Sequence, residues 1–113
     1  MEIAFALKDG GFLQFAVGCD GRKFEAHGLD SSWKCDWDAR VERMADGWRS
    51  VVRIPLSAIG EAISTDRRIR MNAAIYFADG GKARPCMFSF HAGIPYKPSS
   101  WGWIRLEDMK NER

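Results

Sequence analysis

The sequence predicts an all-β domain: an antiparallel β-sandwich of immunoglobulin-like shape, with seven or eight short strands and one short helical turn. Three observations carry this. Apolar and polar residues alternate with a period of two through most of the chain, the pattern of a half-buried strand. Turn signals rich in Gly, Asp and Pro separate these runs at short intervals. No helical pattern of about ten or more residues interrupts them, which argues against a βαβ architecture.

The elements follow in order. Ile3, Phe5 and Leu7 point one way, and Glu2, Ala4 and Ala6 the other. Lys8-Asp9-Gly10-Gly11 turns the chain into a second strand, in which Leu13, Phe15 and Val17 oppose Phe12, Gln14 and Ala16. The Gly pair tolerates the positive φ of a hairpin turn. Cys19-Asp20-Gly21-Arg22 is a second turn, and Lys23 to His27 a short third strand. Loop chemistry follows from Gly28 to Ser32. Trp37 to Met44 alternates again, Ala45-Asp46-Gly47 closes a hairpin, and Trp48, Ser50, Val52 and Ile54 face inward with Arg49 and Arg53 outward.

Pro55 ends that strand, because proline cannot donate to a ladder. Leu56 to Gly60 reads as one helical turn stopped by glycine, with a longer helix through Ile63 as the alternative. Ile69 to Ala78 is a long strand, Asp79-Gly80-Gly81 a turn, Pro85 to His91 a strand and Ala92 to Ser100 a loop. Trp101 to Leu106 is the last strand. The expected organisation is a single domain over residues 1–107 and a charged tail over 108–113.

Composition narrows the function classes. Net charge is only +2 and the basic residues are scattered, densest at Arg67-Arg68-Ile69-Arg70. A nucleic-acid footprint needs a basic stripe, so none is expected. No apolar run approaches the roughly 20 residues that cross a bilayer. The first residues, with Glu2 and no basic n-region, read as a strand and not as a signal peptide. Export to an extracellular or periplasmic location would need a longer parent chain. The three cysteines, Cys19, Cys35 and Cys86, match no zinc spacing and are expected to be reduced and structural, with one disulfide plus a free thiol as the alternative.

Several segments, in this order, resemble the family 9 carbohydrate-binding modules. Glu2-Ile3-Ala4-Phe5 resembles the family's E-I-F strand, and Gly11 to Val17 its aromatic-rich Q-F strand. Asp46-Gly47-Trp48 through Arg53-Ile54-Pro55-Leu56 is similar to its G-W strand and I-P turn, and Arg70-Met71-Asn72 to its F-N strand. Pro98 to Leu106 is similar to its P-x-x-F/W-G-x-L ending. The resemblance implies a β-sandwich that binds sugar chain ends, is non-catalytic, and is often appended to secreted glycoside hydrolases. It also implies that the family's first strands, with one tryptophan of its aromatic clamp, are missing here. The other clamp position falls near Phe90 and Tyr96, and the family's strand arginine falls on Ala16.

Sugar binding needs aromatic faces for stacking and planar polar groups for hydrogen bonds to hydroxyls. By alternation Glu2 and Gln14 share a face, and with Asn72 they match the family's ligand-facing positions. The aromatic candidates are Trp33, Phe90 and Tyr96. Trp33, in a Ser/Asp/Gly-rich stretch, is the expected exposed platform, whereas Trp37, Trp48 and Trp101 are expected in the core. Asp30, Asp36 and Asp38 are oxygen ligands of the calcium type, but their spacing is not that of an EF-hand, and surface acids in a turn are the plainer reading.

Other chemistries fare worse. No carboxylate pair sits in a recognisable pocket motif, and Cys86 and His91, five residues apart in a strand, project to opposite faces, so no enzyme is expected. Met71, Met87 and His91 supply the atom types by which related DOMON-type domains hold haem, without a spacing signature. The remaining alternative is a structural domain without ligand. Its open sheet edge would pair with a second copy or an adjoining domain.

Overall fold

The computed structural model describes residues 1–79, 82–87 and 101–107, the side chains of 76–79 and 82–87 excepted. The strands among them are β1 (Glu2–Ala6), β2 (Phe12–Val17), β3 (Lys23–His27), β4 (Asp38–Met44), β5 (Gly47–Arg53), β6 (Arg68–Asp79), β7 (Lys82–Met87) and β8 (Gly102–Arg105). The fold is all-β and every pairing is antiparallel.

Six strands form one sheet in the order β3-β2-β1-β6-β7, and β8 pairs with the first part of β6. The strands β4 and β5 form a separate two-stranded ribbon. Local chemistry accounts for the first turn. Gly10 adopts φ +92°, Leu7 N–H donates to Gly11 C=O at 2.9 Å, and Gly11 N–H is held by Asp9 Oδ1 at 2.9 Å. That turn sets the register in which Phe5 faces Leu13 and Ile3 faces Phe15.

The core lies on the side of the sheet that carries Phe5, Leu7, Leu13, Phe15 and Ile69. Phe15 is at its centre. It meets Phe5, Trp33 and Trp37 edge-on, with ring centroids 6.0, 5.9 and 5.1 Å apart. Such T-shaped pairs add to the stabilisation from buried area. The chain covers this face with the Trp33–Trp37 segment, with Ala39 and Val52 of the ribbon, with Ile54 just after it, and with Ile59 and Ala62. Cover runs out toward the far end of β6, where Ile75 remains 47% exposed.

A polar clamp fixes the crossing segment to edge strand β3. Trp37 Nε1 donates to the buried Glu25 Oε1 at 2.6 Å, and Lys34 Nζ lies 3.0 Å from Glu25 Oε2. Lys23 Nζ donates to Trp37 C=O at 2.7 Å and sits 5.1 Å from the indole centre. The indole donor, with help from Lys34 and Lys23, holds the Glu25 carboxyl below the ordinary carboxylate range, against the opposing effect of burial.

Three details differ from the sequence reading. The helical turn is double: Leu56–Ala58 and Gly60–Ala62 are successive 3-10 turns, and Gly60 starts the second instead of stopping the first. Burial of Ile59 and Ala62 against the core draws the chain on through Gly60. Next, β7 begins at Lys82, three residues before Pro85, because the pairing with β6 extends to Asp79 opposite Lys82. Among the described residues β7 pairs with β6 alone, so a proline on it interrupts one ladder and not two. Trp101, lastly, is buried as expected, but against Phe12 at 6.0 Å. Phe12 opposes Ala6 and so lies on the side away from Phe15. The Ala92–Ser100 loop and the 108–113 tail lie outside the described residues.

Three outcomes are expected. Phe15→Ala should cost about 3–5 kcal/mol by urea unfolding, the range for truncating a buried aromatic. Trp37→Phe should cost about 2 kcal/mol, because it removes a donor from a buried carboxylate. Since Glu25 titrates lower in the fold than in the unfolded chain, its contribution is present above the ordinary glutamate pKa of about 4.3 and is lost as pH falls through the folded value. Glu25→Gln should flatten that acidic limb in a pH series of denaturant midpoints.

Candidate functional site

Alternation along the strands gives the sheet a second face, made by Glu2, Ala4 and Ala6 of β1, Phe12, Gln14 and Ala16 of β2, Ala26 of β3, and Arg70, Asn72 and Ala74 of β6. Gln14 and Asn72 lie on either side of Ala4 in the register. Gln14 Nε2 donates to Glu2 Oε1 at 2.7 Å, so the pair is held in a fixed orientation, half-buried, on this face. Ala4, Ala26 and Ala74 are buried. Asn72 is only 7% exposed, and its Oδ1 accepts the N–H of Ala73 at 2.9 Å. Glu2, Gln14 and Asn72 are thus brought to one face, with Asn72 recessed.

Trp33 is not the exposed platform expected of it. It is half-buried on the opposite side, edge-on to Phe15 and 6.3 Å from the His27 ring, because the short link from β3 to the ribbon must cross the core. Covering Phe15 outweighs the polar composition of the loop. Phe90 and Tyr96 lie outside the described residues.

Of the aromatics on this face, Phe12, Phe24 and Trp103 among them, Trp103 is the exposed tryptophan. It opposes Arg70 across the β6–β8 pairing and is 48% exposed. The Arg70 guanidinium lies 4.4 Å from its ring centre and that of Arg68 5.2 Å. These cation–π contacts steady the indole while leaving much of it accessible. The signal was in the sequence: Ile104 faces the core, so Trp103 and Arg105 must face away.

Beside Trp103 lies a cleft of about 210 Å³ lined by Ala6, Leu7, Lys8, Ala62, Ser64, Arg70 and Trp103. Among the described residues no carboxylate lines it. Asp66 is occupied nearby: it accepts from Arg68 Nε at 2.7 Å and from the Ser64 hydroxyl, and these bonds hold its carboxyl below the ordinary value, Ser64 first.

The calcium candidates are not gathered. Asp30 Oδ1 accepts from the N–H and hydroxyl of Ser32, in a local turn that lowers its pKa. Asp36 and Asp38 line a shallow depression, but Asp38 faces Arg53 across the ribbon, which supplies a cation where a metal site needs oxygen. Among the described residues no group of three or more His, Cys, Asp or Glu could hold a metal. Of the haem candidates, Met71 packs on the core; the Met87 side chain and His91 lie outside the described residues, and so does the Cys86–His91 pair. Cys19 and Cys35 are free thiols, and burial, with Glu25 and Asp36 nearby, raises the Cys35 pKa.

The two tryptophans of the last segment should separate by stability. Trp101→Ala should cost about 3 kcal/mol or more, and Trp103→Ala less than about 1 kcal/mol, when both are compared by urea unfolding. In comparisons with known proteins, no family model, no curated protein and no solved structure matches this chain.

Proposed function

We propose that this chain is a non-catalytic carbohydrate-binding domain of β-sandwich type, similar to the family 9 modules, and that it binds sugars on the face carrying Glu2, Gln14 and Trp103. The observation that carries this reading is the exposed indole of Trp103 on the same sheet face as the Glu2–Gln14 pair. The ring carries guanidinium groups over it and is still 48% exposed, and that accessible part is what would meet a pyranose. A bonded carboxylate–carboxamide pair has oxygens left to accept from hydroxyls. The motif order from Glu2 to Leu106 supports the same reading.

Binding of this kind is weak, since one stacking aromatic and a shallow polar face leave little surplus after the entropic cost of association. Isothermal calorimetry against a panel of mono- and oligosaccharides tests it. At least one sugar should bind, Trp103→Ala should weaken it by roughly fivefold or more, and Gln14→Ala should weaken it without loss of stability. Silence of the folded protein across the panel would sink the reading.

One observation favours a second reading, an interaction domain. The edge strand β3 has no neighbour on its outer side among the described residues, Phe24 on it is 44% exposed, and Ile75 is exposed on the core side. A second copy or an adjoining domain would cover them. Light scattering decides: a concentration-dependent dimer supports this reading, and a monomer at every concentration rejects a self-pairing role.

A further inference from the structure

We infer that the ligand is an acidic sugar, whose carboxylate or sulfate ester enters the cleft between Lys8, Ser64 and Trp103. The inference rests on the proposed reading of Trp103 as a stacking platform and adds the charge class of what it stacks on. The titratable residues lining the cleft are Lys8 and Arg70, both cationic. On the same sheet face Arg105 opposes Arg68, whose own charge is paired with Asp66. The nearest carboxylate on this ladder, Asp66, is tied to Arg68 and Ser64. Among the described residues Lys8 forms no ion pair, although Glu61 and Asp9 share the next depression with it.

Size narrows the ligand further. Whole small molecules occupy pockets of roughly 300–1,000 Å³. A cleft of about 210 Å³ is smaller and holds one substituent of a ring that lies elsewhere, here on the indole. A planar carboxylate or a sulfate beside a lysine ammonium forms charge-assisted hydrogen bonds, the stronger kind. Single-stranded nucleic acid also stacks on tryptophan beside cations, but it needs a basic groove with several successive aromatic platforms. Among the described residues this ladder carries one exposed ring on two short paired segments.

Calorimetry with two matched pairs tests the inference: an oligogalacturonide against its methyl ester, and a sulfated oligosaccharide against its desulfated form. At least one acidic partner should bind roughly tenfold tighter than its neutral counterpart. That preference should shrink when salt rises from about 0.05 to about 0.5 M. Lys8→Glu, at an exposed turn position, should abolish the preference with the thermal midpoint unchanged, while Trp103→Ala should weaken both members of a pair. The arm that responds distinguishes carboxylate from sulfate. Equal binding of acidic and neutral partners would overturn the acidic class and leave the sugar reading standing. Failure of all four to bind the folded protein overturns the acidic class, and silence across the wider sugar panel as well overturns both. Tighter binding of oligo(dT) than of either acidic sugar overturns them in favour of a nucleic-acid platform.

Discussion

Phe15 is the residue on which the rest of the structure depends. Buried at the middle of the sheet, it is met edge-on by Phe5 from its own sheet and by Trp33 and Trp37 from the segment that crosses it. A six-stranded sheet with a two-stranded ribbon has little second layer, so the crossing segment must seal the core with large rings. Position alone would not hold so short a link. Glu25 does, by accepting the Trp37 indole N–H and pairing with Lys34. A buried carboxylate is costly unless its oxygens are satisfied, and here both are. The same inward-pointing acid sits on edge strand β3, where a charge facing the core side discourages uncontrolled strand addition.

Placing the core on one side commits the alternate residues to the other. On that second face the alanines of β1, β2, β3 and β6 keep the surface low, so the few long side chains stand out: Glu2 with Gln14, and Trp103 with its arginines. The division is a direct result of strand alternation. Each residue that strengthens the core commits its sequence neighbour to the opposite face. Leu13 and Phe15 commit Gln14; Ile104 commits Trp103. Gln14 and Arg70 are therefore carried by β2 and β6, whose inner residues Leu13, Phe15 and Ile69 are among the most buried of the described residues.

Strand positions and the side each residue takes were legible from residue order, because period-two alternation is a local property and the glycine and aspartate turns are local too. β1 to β6 fall within a residue or two of where alternation puts them, and Glu2 and Gln14 share a face for that reason alone. Partners across the fold were not legible. That Trp33 leaves solvent to cover Phe15, that Trp101 buries against Phe12 on the far side, and that Trp103 is flanked by two guanidinium groups all depend on which strands lie beside which. Composition around Trp33 pointed outward and the need to seal the core pulled it inward. A local pattern states which way a side chain turns; only the packed sheet decides what it meets there, because the free energy of covering apolar rings belongs to residues far apart in the chain.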